Sequence, residues 1–280
     1  MKIISLYPNP NRDPNLTRTA KVIETLLGFP CELRMERDFA RIPSLTPYQN
    51  RLRFVAREEL FSADLLITLG GDGTILSVAE EAAKAGTPIF GINFGHVGFM
   101  TSLEEKELAK LPLLLEKELP VSSRMMLECT VGDKTFYALN EFVITPERGG
   151  VHMVDLDLFT GRKKLCRFRA DGLIFNTPTG STGYSFSAGG AVQDVNFDSI
   201  GVKAVSSYLL INAHHMIFSP ETVFSVKGAS EGGKLTVCAD GKTETVVTPA
   251  DTVKIRRARH RLKLIFPGPQ SNLEVFFRKF

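Results

Sequence analysis

Leu65-Leu66-Ile67-Thr68-Leu69-Gly70-Gly71-Asp72-Gly73-Thr74 decides how the first part of this chain is read. Five uncharged residues, mostly leucine and β-branched, predict a strand buried on both faces, which is the habit of a parallel sheet. The glycines stop it. A helical pattern then runs from Ile75 to about Lys84, with Gly86 as a C-terminal stop. Upstream, Lys2–Tyr7 and Cys31–Met35 read as strands on either side of an amphipathic Leu16–Leu27, and downstream Pro88–Asn93 reads as another strand. Alternating strands and helices predict an α/β layer with parallel pairing. Glu36–Arg57, broken by Pro43 and Pro47, is expected to be partly irregular and to form an active-site flap.

The pattern changes after about residue 100. Ser102-Leu103-Glu104-Glu105 has the form of a capping box and predicts a helix to about Glu118, stopped by Pro120. From Ser122 to about Phe266 apolar residues recur at period two, as in Leu127/Cys129/Val131, Val154/Leu156/Leu158 and Leu235/Val237/Ala239. Turn signals separate them at Gly132-Asp133, Thr160-Gly161-Arg162, Gly232-Gly233 and Asp240-Gly241. This predicts an antiparallel β domain. Asn272–Phe280 returns to a short helical pattern. The expected organisation is an N-terminal α/β domain, residues 1–100, and a β-rich domain, residues 101–256, with residues 257–280 packing back on the first.

Composition narrows the function classes. With 280 residues, 43% apolar and 23% charged, the chain can build folded cores and is not a disordered polymer. A net charge of +3 without a concentrated basic tract gives no reason to propose a nucleic-acid or membrane partner. The basic run from Arg256 to Lys263 is interrupted by apolar residues and reads as one solvated strand face. Four scattered cysteines form no C-x-x-C pair, and no stretch approaches the roughly 20 apolar residues a membrane helix needs. A cytoplasmic, reducing compartment is expected.

Two constellations carry chemistry. In Gly70-Gly71-Asp72-Gly73-Thr74 the glycines leave backbone N–H groups open to an anion at a strand-to-helix turn. Asp72 would repel a phosphate unless it faces a cation or accepts a proton; the plainer reading is a tight turn whose aspartate bonds its own backbone. The second constellation is Asp171–Asn176 followed by Thr177-Pro178-Thr179-Gly180-Ser181-Thr182-Gly183-Tyr184-Ser185-Phe186-Ser187-Ala188-Gly189-Gly190. Its hydroxyls suit ribose and phosphate oxygens, and Tyr184 offers a flat face to a base. Three better-known patterns fail. Gly241-Lys242-Thr243 lacks the P-loop's first glycine because position 236 is Thr236, Gly91, Gly95 and Gly98 lack dinucleotide-fingerprint spacing, and Ser187 has Ser185 where a nucleophile elbow needs glycine.

Together with Gly91–Phe99, Leu139-Asn140-Glu141 and Asp240-Gly241, these blocks make the chain resemble the NAD kinase family over nearly its whole length. The resemblance implies a Rossmann-like α/β domain joined to a β-sandwich-like domain, with the site in the cleft and subunits sharing it as a homodimer or homotetramer. It implies transfer of the terminal phosphoryl group of ATP or polyphosphate to the 2′-hydroxyl of the adenosine ribose of NAD, with Mg²⁺ or another divalent cation; the metal's ligands are not implied. Asp72 matches the proposed catalytic base, and Gly70, Gly71, Gly73 and Thr74 match the phosphate loop. Phe99, Asn140, Glu141, Asp171, Thr179, Thr182, Gly183, Tyr184 and Ser187 match NAD-binding positions. Departures are Ala213-His214-His215 and Ser219-Pro220, where the family often has Cys-Pro-His and Arg-Pro, together with Gly183 for alanine and Lys242 for glutamine. A lipid kinase sharing the glycine loop would leave the Thr177–Gly190 block unexplained, and a non-catalytic dinucleotide sensor would not need Asp72.

Overall fold

A computed structural model describes residues 2–95, 98–147, 153–209, 214–228, 233–268 and 272–279. The chain divides into two compact units, Met1–Arg124 with His260–Phe280, and Met125–Arg259.

The first unit runs β1 (Lys2–Pro8), α1 (Thr17–Leu26), β2 (Cys31–Glu36), β3 (Leu52–Val55), β4 (Leu65–Gly70), α2 (Asp72–Leu76), α3 (Ala79–Ala85), β5 (Ile89–Asn93), β6 (Leu103–Glu104) and α4 (Leu111–Leu115). Five strands pair in parallel in the order β5-β4-β1-β2-β3. Every residue of β4 is buried, as a strand covered on both faces must be. Ile4, Leu6, Ile67, Leu69, Phe90 and Ile92 from the sheet share a core with Val22, Ile23 and Leu26 of α1. The start of α1 is capped from a distance. Buried Asp13 accepts the Thr19 N–H at 2.8 Å and the Arg18 N–H at 3.3 Å.

Three local expectations change. The Glu36–Arg57 stretch holds two 3₁₀ turns and a strand: the short sequence Leu52-Arg53-Phe54-Val55 gains strand geometry from its parallel partner β2, and its own pattern is too brief to signal it. The single helix expected over Ile75–Lys84 is two, α2 and α3. Ser77 bonds its hydroxyl back to the Thr74 carbonyl at 2.8 Å, and the backbone leaves helical geometry at Val78. The helix expected from Ser102 is replaced by β6, a 3₁₀ segment Glu105–Lys110 and the short α4. Ser102 is engaged by the sheet, accepting the Gly91 N–H at 3.3 Å and donating to the Ile265 carbonyl, so it caps nothing. The reciprocal cap comes from Glu107, which accepts the Glu104 N–H at 3.3 Å.

The second unit is antiparallel. Its strands are β7 (Val121–Val131, from Met125 onward), β8 (Lys134–Ala138), β9 (Glu141–Pro146), β10 (Val154–Thr160), β11 (Lys163–Ala170), β12 (Gly172–Asn176), β13 (Ile200–Val205), β14 (Met216–Phe218), β15 (Phe224–Gly228), β16 (Leu235–Ala239), β17 (Lys242–Val247) and β18 (Val253–Ile265, to Arg259). One sheet has the order β14-β13-β12-β9-β16-β17; β11, β10, β15 and β18 form another run. Side chains from both, including Phe142, Phe175, Val237, Leu156, Phe168 and Phe224, close on one core. Between β12 and β13 the hydroxyl-rich block folds into a 3₁₀ turn, Thr179–Thr182, and one helical turn α5 (Tyr184–Ser187). The end of β18 returns to the first unit, where Leu264 pairs with Ile89, and α6 (Asn272–Lys279) follows. Among the described residues no helix is long and apolar enough to cross a membrane.

Candidate functional site

The glycine loop of the first unit opens a cavity of about 290 Å³ lined by Asn9, Arg12, Gly70, Gly71, Asp72, Gly73, Thr74, Asn93, Gly95 and Gly98. Strand β4 delivers the loop and α2 begins at Asp72, so the amides of Asp72 and Gly73 have no acceptor within the helix. Gly70 is required by close approach: a Cβ there would run into the Thr74 hydroxyl. Thr74 is buried and turned inward, its hydroxyl accepting from Gly71 N–H at 3.2 Å and Asn9 Nδ2 at 2.9 Å. It therefore shapes the loop while lining the cavity.

Asp72 is held by a different segment. Its Oδ2 accepts the Phe99 N–H at 2.7 Å and its Oδ1 the Met100 N–H at 3.0 Å. The plainer reading of the sequence, an aspartate bonding the turn that carries it, does not describe this residue; its partners lie 27 and 28 positions downstream. Gly98 has no side chain because a Cβ would meet Asp72 Oδ1. Each carboxylate oxygen accepts one amide and keeps a further lone pair.

The second constellation sits in the second unit, where a buried carboxylate organises a turn. Asp240 accepts the backbone N–H groups of Leu139, Asn140 and Glu141 at 2.8, 2.8 and 3.0 Å. It can do so because it occupies the left-handed region, φ 46°, in a two-residue turn completed by Gly241 at φ 82°. From the other side, Thr177 donates its N–H to the Asn140 carbonyl at 2.9 Å and its hydroxyl to the Leu139 carbonyl at 2.6 Å. Gly180 packs so closely that a Cβ would strike the Asn140 carbonyl. Thus Asn140, Glu141 and the 177–187 block, about forty residues apart in sequence, form one structure.

Two buried side-chain atoms in that turn have no hydrogen-bond partner, Asn140 Oδ1 and Glu141 Oε2; a third, Ser185 Oγ, lies in α5. A buried polar atom left without a partner costs on the order of 1–3 kcal/mol, so such atoms are candidate contacts for the polar groups of a ligand. Burial, reinforced by the nearby Asp240 charge, pushes the Glu141 carboxyl up to about 8, against a smaller opposing pull from the Tyr184 N–H. Burial also raises Asp240, with three amides pulling it back. Between the two, Glu141 keeps its proton near neutrality. Gly183 leaves room here, since a Cβ would stand 3.1 Å from Glu141 Oε2.

Known proteins match this chain. Residues 4–118 match the ATP-NAD kinase N-terminal domain and residues 139–266 the ATP-NAD kinase C-terminal domain. The chain is similar to an NAD kinase from Thermoanaerobacter sp. (strain X514), 33% identical over 273 residues, covering 95% of this chain and 94% of that one. It is also 36% identical over 212 residues to an NAD kinase from Symbiobacterium thermophilum, covering 73% and 74%. The chain belongs to the NAD kinase family. Among solved structures, an NAD kinase from Archaeoglobus fulgidus in complex with ATP superposes with TM-score 0.73 at 25% identity, covering 100% of this chain and 98% of that one. Yeast NADH kinase complexed with NADH shares the fold, with TM-score 0.83 at 21% identity over 96% and 84% of the two chains.

Of the family positions anticipated from sequence, Gly70, Gly71, Asp72, Gly73 and Thr74 line the first-unit cavity. Asn140, Glu141, Thr179, Thr182, Gly183 and Tyr184 gather in the second unit, with Thr179 buried and Tyr184 44% exposed. Ser187 is exposed at the end of α5, and Asp171 stands half-buried before β12. Phe99 contributes a backbone amide to Asp72, and its ring is half-buried. The sequence reading missed Asn9, Arg12 and Asn93 as cavity residues, and Asp240 as the clamp. Asn9-Pro10-Asn11-Arg12 directly after β1 was the available signal for the first two, and the turn signal at Asp240-Gly241 for the last. Among His214 and His215, expected on opposite faces of a strand, both precede β14. His215 is half-buried, accepts the Ala191 N–H at 2.9 Å and stands 3.2 Å from Asn176 Oδ1; burial lowers its pKa, so it is a neutral structural link.

Proposed function

We infer that this protein is an NAD kinase in which the first-unit cavity takes the donor phosphates and the Asn140–Glu141 turn takes the adenosine ribose of NAD. The orphaned buried oxygens of Asn140 and Glu141 support this reading most directly, because they offer adjacent partners to a vicinal diol. The reaction joins the ribose 2′-oxygen to the terminal phosphorus of ATP or of polyphosphate, breaks that phosphorus from its bridging oxygen and releases ADP or the shortened chain. Asp72 orients the hydroxyl and accepts its proton late, as bond formation acidifies it. A ground-state alcohol is too weak an acid to give up its proton before the bond to phosphorus begins to form. Phosphoryl transfer asks chiefly for positioning and neutralisation, which loop amides and a fixed carboxylate can supply.

A divalent cation such as Mg²⁺ suits this donor set. Magnesium is commonly held by one or two carboxylates plus substrate phosphates, and the cavity is lined by Asp72 and by Asn93, whose Oδ1 also accepts the Gly95 N–H at 3.0 Å. When bound, the ion would neutralise donor phosphate charge. Four unpaired cysteines agree with a cytoplasmic enzyme, and a homodimer or homotetramer is the proposed assembly. The test is a coupled assay of NADP formation, run with ATP and with polyphosphate as donors. No NADP with either donor would sink the reading.

A further inference from the structure

The donor cavity contains a charge problem. Its lining includes one carboxylate, Asp72, and a terminal phosphate brought to the glycine amides would meet that negative charge. Among the described residues of the same lining there is one cation, Arg12, which lies outside every motif read from the sequence. Its guanidinium lies beside Gly95, with Nη1 3.8 Å from where a Cβ on Gly95 would be.

The backbone under Arg12 is fixed while its side chain is left available. The Asn9 carbonyl accepts the N–H groups of Arg12 at 2.9 Å and Asp13 at 3.0 Å, closing a turn directly after β1. Asn9 Nδ2 ties that turn to the glycine loop through Thr74 Oγ1 at 2.9 Å. The Arg12 carbonyl accepts Arg18 Nη1 at 3.4 Å. Neighbouring arginines have acids: Arg18 pairs with Glu105, and Arg57 with Glu81 at 3.0 Å. Among the described residues Arg12 has no ion-pair partner and remains exposed.

We propose that Arg12 is a binding residue for the polyphosphate chain of the donor, its guanidinium contacting the phosphate seated on the Gly71–Gly73 amides and offsetting Asp72. This deepens the kinase reading and rests on it for the identity of the donor. Arginine suits the role because its planar fork reaches two phosphate oxygens at once, which a lysine ammonium does not. The proposal also explains how a carboxylate can share a loop with a phosphate.

Calorimetric titration of inorganic triphosphate into the full-length protein tests it without NAD or turnover. Arg12→Ala is expected to weaken triphosphate binding by about tenfold or more, with Arg12→Lys intermediate. In steady-state assays of the same variants, KM for ATP should rise by a similar factor, about tenfold, while KM for NAD stays unchanged. An unaltered thermal melt, expected for an exposed residue, separates this from misfolding. Triphosphate affinity in Arg12→Ala within about twofold of wild type would overturn the proposal. Failure of the wild type to form NADP would instead overturn the kinase reading, and the triphosphate comparison would still decide Arg12.

Discussion

Asp72 and Glu141 are both carboxyls, and their surroundings give them opposite tasks. Asp72 sits in a cavity, each oxygen fixed by one amide from residues 99 and 100, so it is positioned for the proton-accepting role proposed for it. Asp72→Asn keeps the shape and removes proton acceptance; turnover should drop on the order of 10²–10⁴-fold with KM values little changed, and a near-normal kcat would remove Asp72 from that role. Glu141 is buried beside Asp240 and titrates near 8 in the folded protein, against 4.5 when unfolded. Between those values the folded protein holds a proton that the unfolded chain has lost, so stability falls as pH rises through this window and levels off above it. Glu141→Gln removes that slope. The melting temperature of the Gln variant should gain on wild type as pH is raised from about 5 to about 8.5, and parallel profiles would contradict the assignment.

At the scale of elements, the β16–β17 turn is the keystone of the Asn140–Glu141 turn. One Asp240 carboxylate receives three amides of the segment leading into β9. In Asp240→Asn one oxygen becomes an NH₂ that faces N–H donors. The expected loss is about 3 kcal/mol in urea denaturation, because buried donors lose a charged acceptor. KM for NAD should rise with it, and the Glu141 titration should move down as the neighbouring charge disappears. An unchanged KM for NAD would show that the clamp does not shape the proposed ribose site. Elements also mark where pattern reading fails. The capping-box form at Ser102 was legible, but Ser102 takes its partners from Gly91 and Ile265, contacts that no local window contains. Likewise α2 and α3 share one helical period that Ser77 interrupts by bonding backward.

Over the whole molecule, the first unit is assembled from both ends of the chain. Leu262, Leu264 and Phe266 are at most 1% exposed, Leu264 lies in register with Ile89 of β5, and the Phe266 N–H donates to the Pro120 carbonyl. Ending the chain after Arg259 should therefore remove three fully buried side chains, each worth about 1.5–3 kcal/mol, and abolish the first unit's cooperative unfolding. Ending it after Gly268 retains them and should preserve that transition in calorimetry. Equal behaviour of the two truncations would show that the returning segment is dispensable.

Some of this protein was written in local order. The buried run Leu65–Leu69, the glycine turn after it, the period-two strands and the turn at Asp240-Gly241 follow from neighbours a few residues away, so the α/β and antiparallel β classes and the GGDGT loop were readable. What only the tertiary structure decided depends on partners far apart in sequence. The amides of Phe99 and Met100 aim Asp72, the Asp240 carboxylate and the 177–180 turn press on Asn140 and Glu141 from two sides, and Arg12 reaches the cavity wall from the end of β1. Hydrogen bonds, burial and charge act through space, and one-dimensional spacing records them only where the chain happens to run straight.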